Sequence, residues 1–171
     1  MVSTLPTINQ LNSLNNQEFI QVINTLFETA PPLANALLGS RPFQSYMDLI
    51  DRSDMIIKAM NEEDQILVVN AHPRIGAPAQ TLSALSAKEQ GTYIPEETLK
   101  LVLKQLEKLN QTYEDKFGFK FVVFVNGRSR VEIVKVLETR LLNSREHELR
   151  TGLSDMILIA KDRLSKLQSH L

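Results

Sequence analysis

The sequence predicts an all-α fold: one compact helical bundle over residues 1–171, with a single short extended segment near 119–125. Three observations lead there. Apolar residues recur at spacings of three and four through most of the chain, the period of an amphipathic helix. Asn, Ser and Pro stand just ahead of those runs, where helices begin. The one run with strand propensity, Phe119-Lys120-Phe121-Val122-Val123-Phe124-Val125, has no second strand to pair with, and a lone strand cannot satisfy its own backbone.

Taken in order, Asn15 or Asn16 caps a helix whose apolar face is Phe19, Val22, Ile23, Leu26 and Phe27, and Pro31-Pro32 stops it. Leu33 to Leu38 adds a turn or two, closed by Gly39 as a C′ glycine. Arg41-Pro42-Phe43 bends the chain, Phe43 to Arg52 resumes helical spacing, and Ser53 caps a further short helix. Asn61 precedes Glu62, Glu63 and Asp64, acids that suit the positive start of a helix. That helix ends near His72, because Pro73 disfavours α conformation in the residue before it. His72 therefore sits among helix-end carbonyls, which favour a protonated imidazole. Residues 74 to 84 read as loop. Ser86 and Glu89 make a capping-box pattern. Pro95 stands at the first position of a long helix with the stripe Leu99, Val102, Leu103, Leu106, Leu109 and Tyr113, ended by Gly118. Asn126-Gly127 turns. Ser129 or Arg130 opens a helix through Leu142, Asn143 or Ser144 recaps, and the last helix buries Leu149, Leu153, Met156, Ile157, Ala160 and Leu164.

Composition narrows the function classes. The net charge is −1, without the basic stripe of a nucleic-acid or membrane-surface protein. There is no cysteine, so disulfides, thiolate nucleophiles and cysteine metal sites are excluded. No apolar run reaches membrane-spanning length, and Met1 to Pro6 has no signal-peptide pattern. The chain closes on Ser169-His170-Leu171, a variant of the Ser-Lys-Leu peroxisomal address.

Little else looks like chemistry. His72, Glu89 and Arg163 supply an imidazole, a carboxylate and a guanidinium, a set able to hold an anion and move a proton. Each also has a plain structural reading: a helix-end histidine, a capping glutamate, a charge on a helix face. Arg163 follows Ile159 by four residues and so can overlie the apolar face. The three histidines have no metal-ligand spacing, and His147 and His170 read as solvated. Gly76 and Gly91 form no phosphate loop. Arg128, Arg130 and Lys135 read as a solvated basic cluster.

The order of short motifs carries more. Leu11-Asn12, Glu18-Phe19, Ala30-Pro31-Pro32 and Arg41-Pro42-Phe43 lead to Ala71-His72-Pro73 and to Ser86-x-x-Glu89-Gln90. Leu109-Asn110-x-x-Tyr113 and Lys116-Phe117-Gly118-Phe119-x-Phe121 follow. Arg140-Leu141 with Asn143 and Glu146, then Ile159-Ala160-x-x-Arg163-Leu164, complete the set. Together they resemble the 2-oxo-4-hydroxy-4-carboxy-5-ureidoimidazoline (OHCU) decarboxylases of uric acid degradation. The resemblance implies an all-helical, commonly dimeric, cofactor-free and often peroxisomal decarboxylase that makes (S)-allantoin from a ureido-imidazoline. It implies catalytic roles for His72, Glu89 and Arg163, and substrate contacts from Pro73, Ser86, Gln90 and the backbone of Phe121, Val122, Val123, Phe124 and Val125. It implies no metal, a homodimer, and a peroxisomal import receptor reading Ser169, His170 and Leu171. Arg74-Ile75, Gly91-Thr92, Lys120 and Asn126 depart from the residues that the family more often carries. A lyase or isomerase of a related ureide and a non-catalytic helical interaction module are the rival readings.

Overall fold

The computed structural model describes residues 4–76 and 95–168, and among these eight helices and no strand. They are α1 (Ile8–Ser13), α2 (Asn16–Ile23), α3 (Pro31–Gly39), α4 (Tyr46–Ala59), α5 (Glu62–Asn70), α6 (Glu96–Phe117), α7 (Arg130–Arg140) and α8 (Arg145–Gln168). The expected Ser86–Glu89 capping box and the Ser169-His170-Leu171 terminus lie outside the described residues.

Where capping chemistry is local, it sets the helix ends as the sequence predicts. The Asn15 and Asn61 side chains accept from the backbone N–H groups of Glu18 and Asp64. Ser129 and Glu132 form a reciprocal capping box ahead of α7. Ser144 Oγ accepts from the His147 N–H at the start of α8. Gly118 ends α6 with φ 81°, a left-handed conformation that costs a side chain with Cβ about 1 kcal/mol or more.

Other expectations are corrected. α1, opened by a Thr7–Gln10 capping box, precedes the first predicted helix. α2 closes at Ile23, and Leu26 and Phe27 are buried in the turns beyond it. Pro31 starts α3 rather than ending α2, since a proline at the first helical position loses no hydrogen bond. Gly39 lies within α3, whose C-cap is Ser40 in ordinary right-handed backbone. Ser53 caps nothing: α4 runs through it, and its hydroxyl donates to the Leu49 carbonyl one turn back. Pro95 is the N-cap of α6, one residue before the predicted position.

The core forms where the apolar faces meet. α8 packs against α4, α5 and α6, α7 packs against α6, and α3 joins α4 and α5. The predicted α8 face (Leu149, Leu153, Met156, Ile157, Ala160 and Leu164) is buried. Residues 119–125 form no ladder and run as non-helical chain against the helices. An aromatic cluster fastens them to α6: the Tyr113 ring lies 4.6 Å from Phe117, 6.0 Å from Phe119 and 5.3 Å from Phe121. Among the described residues no helix is long and apolar enough to cross a membrane.

Candidate active site

His72 stands two residues beyond α5, placed there by the last turn of that helix. The Ala71 and His72 N–H groups bond back to the Val68 and Val69 carbonyls, which closes the helix before Pro73. α6 holds the next residues. The Asn110 amide donates to the Ile75 carbonyl at 3.0 Å, and Arg74 pairs with Glu114 and reaches Gln111. Lys120 ties the end of α5 to the extended segment, its backbone N–H donating to Asn70 Oδ1 at 2.9 Å. A proline here would have no N–H to donate.

One cleft of about 320 Å³ brings the predicted residues together. That volume lies at the small end of ligand sites, roughly 300–1,000 Å³. His72, Pro73 and Arg163 line it with the whole of Phe121 to Val125. Ile159, Asp162 and Lys166 of α8 complete the wall on either side of Arg163. Ser86, Glu89 and Gln90 lie outside the described residues.

Arg163 comes from the penultimate turns of α8 and is 1% exposed. Its guanidinium donates to the Leu26 carbonyl at 3.4 Å and meets Glu28 Oε1 at 3.3 Å. A buried charge needs such partners. They also orient the planar fork before any ligand arrives. Nothing in the sequence marks Glu28, a single acid between apolar turns, as the arginine's partner.

The expectation of a protonated His72 is overturned. The imidazole is 4% exposed, and among the described residues its Nε2 meets no hydrogen-bond partner. Its pKa falls from 6.5 to about 4: burial is the largest cause, the Arg163 charge and, less, Lys120 act with it, and Glu28 opposes. Two of the helix-end carbonyls expected to favour the cation, those of Val68 and Val69, instead accept from the Ala71 and His72 N–H groups. The His72 imidazole is thus neutral near pH 7, with a ring nitrogen able to take a proton.

This has a pH consequence. In the unfolded chain the imidazole titrates near 6.5, and in the folded one near 4. Between those values the unfolded state holds a proton that the folded state lacks, so acidification through this window costs stability. The loss is absent above the upper value and complete below the lower one. Thermal melts from pH 7.5 to 3.5 are expected to show a His72→Gln variant losing much less stability over this window than the parent. Parallel curves for the two proteins would contradict the burial of a neutral imidazole.

Arg128, expected on a solvated face, is also structural. Its guanidinium donates to the Phe124 carbonyl at 2.5 Å and to the Val125 carbonyl at 3.0 Å. Asn126 and Gly127 between them turn the chain with positive φ, as Asn-Gly allows. His147 is exposed, as expected.

The fold and the cleft define a class: a helical protein with a small cleft lined by a buried imidazole and a buried guanidinium. The sequence profile described as OHCU decarboxylase matches residues 12–165. The chain belongs to the OHCU decarboxylase family. It is 31% identical to the 2-oxo-4-hydroxy-4-carboxy-5-ureidoimidazoline decarboxylase of Mus musculus, over 92% of this chain and 90% of that protein. It is 30% identical to the uric acid degradation bifunctional protein of Bacillus sp. (strain TB-90), over 94% of this chain. The chain spans about a third of the length of that bifunctional protein, 32%. Its fold matches the crystal structure of an OHCU decarboxylase determined in the presence of (S)-allantoin. The TM-score is 0.69 at 22% identity, over 91% of this chain and 99% of the other.

Proposed function

We propose that this protein is a carboxy-lyase that converts 2-oxo-4-hydroxy-4-carboxy-5-ureidoimidazoline to (S)-allantoin in urate degradation. Family membership supports the reaction class. The observation that carries the reading is the pairing of the His72 imidazole and the Arg163 guanidinium on one small cleft walled by the Phe121 to Val125 backbone.

The substrate makes the chemistry light. The carbon that loses carbon dioxide adjoins a ring C=N bond. When the C–C bond breaks, its electron pair forms a C=C bond to the ureido-bearing carbon and the C=N pair moves onto the ring nitrogen, which takes up one proton from solvent. The hydroxyl on the first carbon then becomes a carbonyl as its proton departs. A proton delivered to the carbon bearing the ureido group fixes the product's configuration. The protein has to bind, orient and move protons.

In this reading Arg163, held by Leu26 and Glu28, pairs with the substrate carboxylate. Pro73 packs against the ring, and the Phe121 to Val125 backbone meets the urea-like edges. Neutral His72 takes the hydroxyl proton and returns a proton to carbon. Ser86, Glu89 and Gln90 carry the further contacts that the family motif assigns them. Resemblance extends the proposal to a homodimer, and Ser169-His170-Leu171 extends it to peroxisomal import.

The test is stereochemical. Freshly generated substrate with the protein is expected to give one allantoin enantiomer, at a rate far above the spontaneous one, followed by circular dichroism. Racemic product at the spontaneous rate overturns the proposal. Rapid turnover of 5-hydroxyisourate instead assigns a different ureide reaction.

A further inference from the structure

The extended wall poses a question of hydrogen-bond accounting. Residues 119–125 belong to no helix and no sheet. Each of their N–H and C=O groups must therefore find a turn partner, a side chain, a solvent molecule or a ligand. The groups that find side chains alternate. The Val122 carbonyl accepts from Arg140 at 2.7 Å. The Phe124 N–H donates to Asp155 Oδ2 at 2.9 Å, and the Phe124 carbonyl accepts from Arg128. Arg140 and Asp155 face each other at 3.7 Å, so Val122 and Phe124, two residues apart, spend their groups on one polar cluster. That is the alternation of extended backbone, in which successive residues direct their polar groups to opposite sides.

Of the odd residues' groups, the Val125 carbonyl accepts from Arg128 where the chain turns, and three others are left over. Among the described residues no protein group meets the Val123 N–H, the Val123 carbonyl or the Val125 N–H. Both valines line the cleft. The side of the chain away from the cluster thus offers donor, acceptor and donor in sequence. An amide or ureide edge can match that order.

We propose that Asp155, with Arg140, is a positioning residue: it takes up one edge of the 122–125 backbone and so commits the other edge, Val123 and Val125, to the substrate. Asp155 touches no substrate. It acts through the peptide it holds. The inference rests on the function proposed above.

Asp155 suits a test better than Arg140, because its side chain keeps 19% of its surface exposed while that of Arg140 keeps 8% and is bound into the core. Asp155→Asn preserves an oxygen at the Phe124 N–H. Asp155→Ala removes it. With one net hydrogen bond lost from the ordered wall, the Asp155→Ala enzyme is expected to show about a tenfold rise in KM, with kcat within about twofold. Its dissociation constant for (S)-allantoin, used as the binding probe, should rise in step. The Asp155→Asn enzyme should stay near the parent in both. The Phe124 amide should exchange with solvent faster in Asp155→Ala than in Asp155→Asn. A loss of activity that only tracks a lower folded fraction overturns the proposal, as does a folded Asp155→Ala enzyme with unchanged KM and allantoin affinity. If the parent protein neither turns over the substrate nor binds (S)-allantoin, the functional reading fails and takes this inference with it.

Discussion

Replacing His72 with alanine is expected to lower kcat by about a hundredfold or more, the usual contribution of a positioned acid or base. The expectation rests on where the imidazole sits. It is buried on the cleft wall, with Nε2 unpartnered among the described residues, and burial first and the Arg163 guanidinium second keep it neutral. An unpartnered buried nitrogen is a cost to folding, on the order of 1–3 kcal/mol. Its loss is therefore not expected to unfold the protein, and the variant should keep its helical content and melt cooperatively. KM should change less than kcat, because the carboxylate is held by Arg163. Single-turnover kinetics with freshly generated substrate check this. Unchanged stereospecific turnover would remove His72 from the chemistry.

Glu148→Ala is expected to produce the largest loss of stability. Glu148 is fully buried and holds three partners. Arg140 Nε and the Tyr113 hydroxyl each donate to Oε1 at 2.7 Å, and the Asn143 amide donates to Oε2 at 2.9 Å. Burial, followed by the bond to Glu148, pushes the Tyr113 pKa far above its ordinary range, so the phenol stays a donor. Alanine removes the nearer of the two carboxylates beside the buried Arg140 guanidinium, which also lies 4.6 Å over the Phe121 ring and bonds the Val122 carbonyl. Breaking one side of a buried ion pair costs about 3–5 kcal/mol. For a domain of this size that lowers the melting temperature by roughly 10 °C. The cleft wall should loosen with it, because the same arginine holds Val122. Calorimetry of Glu148→Ala beside Glu148→Gln measures the effect. A shift of only a degree or two in Glu148→Ala would show that the network contributes little.

The helix caps were legible because capping is local: Asn15, Asn61, Ser129 and Gly118 each act within one turn. Ser53 and Gly39 misled for the complementary reason. A serine can bond its own helix backbone and a glycine can lie inside a helix, so neither residue type alone ends one. The lone strand-like run was read correctly as unpaired chain, since no second run existed to receive it.

The candidate site divides the same way. His72, Arg163 and the 121–125 wall were found through family motifs, and the structure brings them to one cleft. Their partners were not found. The sequence motif sets Glu146 beside Arg140 and Asn143, yet the carboxylate that joins those two is Glu148, two residues on. Glu28, Asp155 and Arg128 carry no local signal, because their partners lie far off in sequence or on backbone groups. The protonation of His72 was misjudged because the helix end can be read from sequence, whereas burial and a guanidinium from α8 cannot.

The central claim is that His72 and Arg163 serve a single bound molecule. A crystal structure of the protein with (S)-allantoin tests it most directly. The account predicts the ligand in the cleft within hydrogen-bond distance of the His72 ring and the Val123 or Val125 backbone, with its former carboxylate side toward Arg163. Allantoin bound on another face, with this cleft empty at saturating ligand, would contradict it.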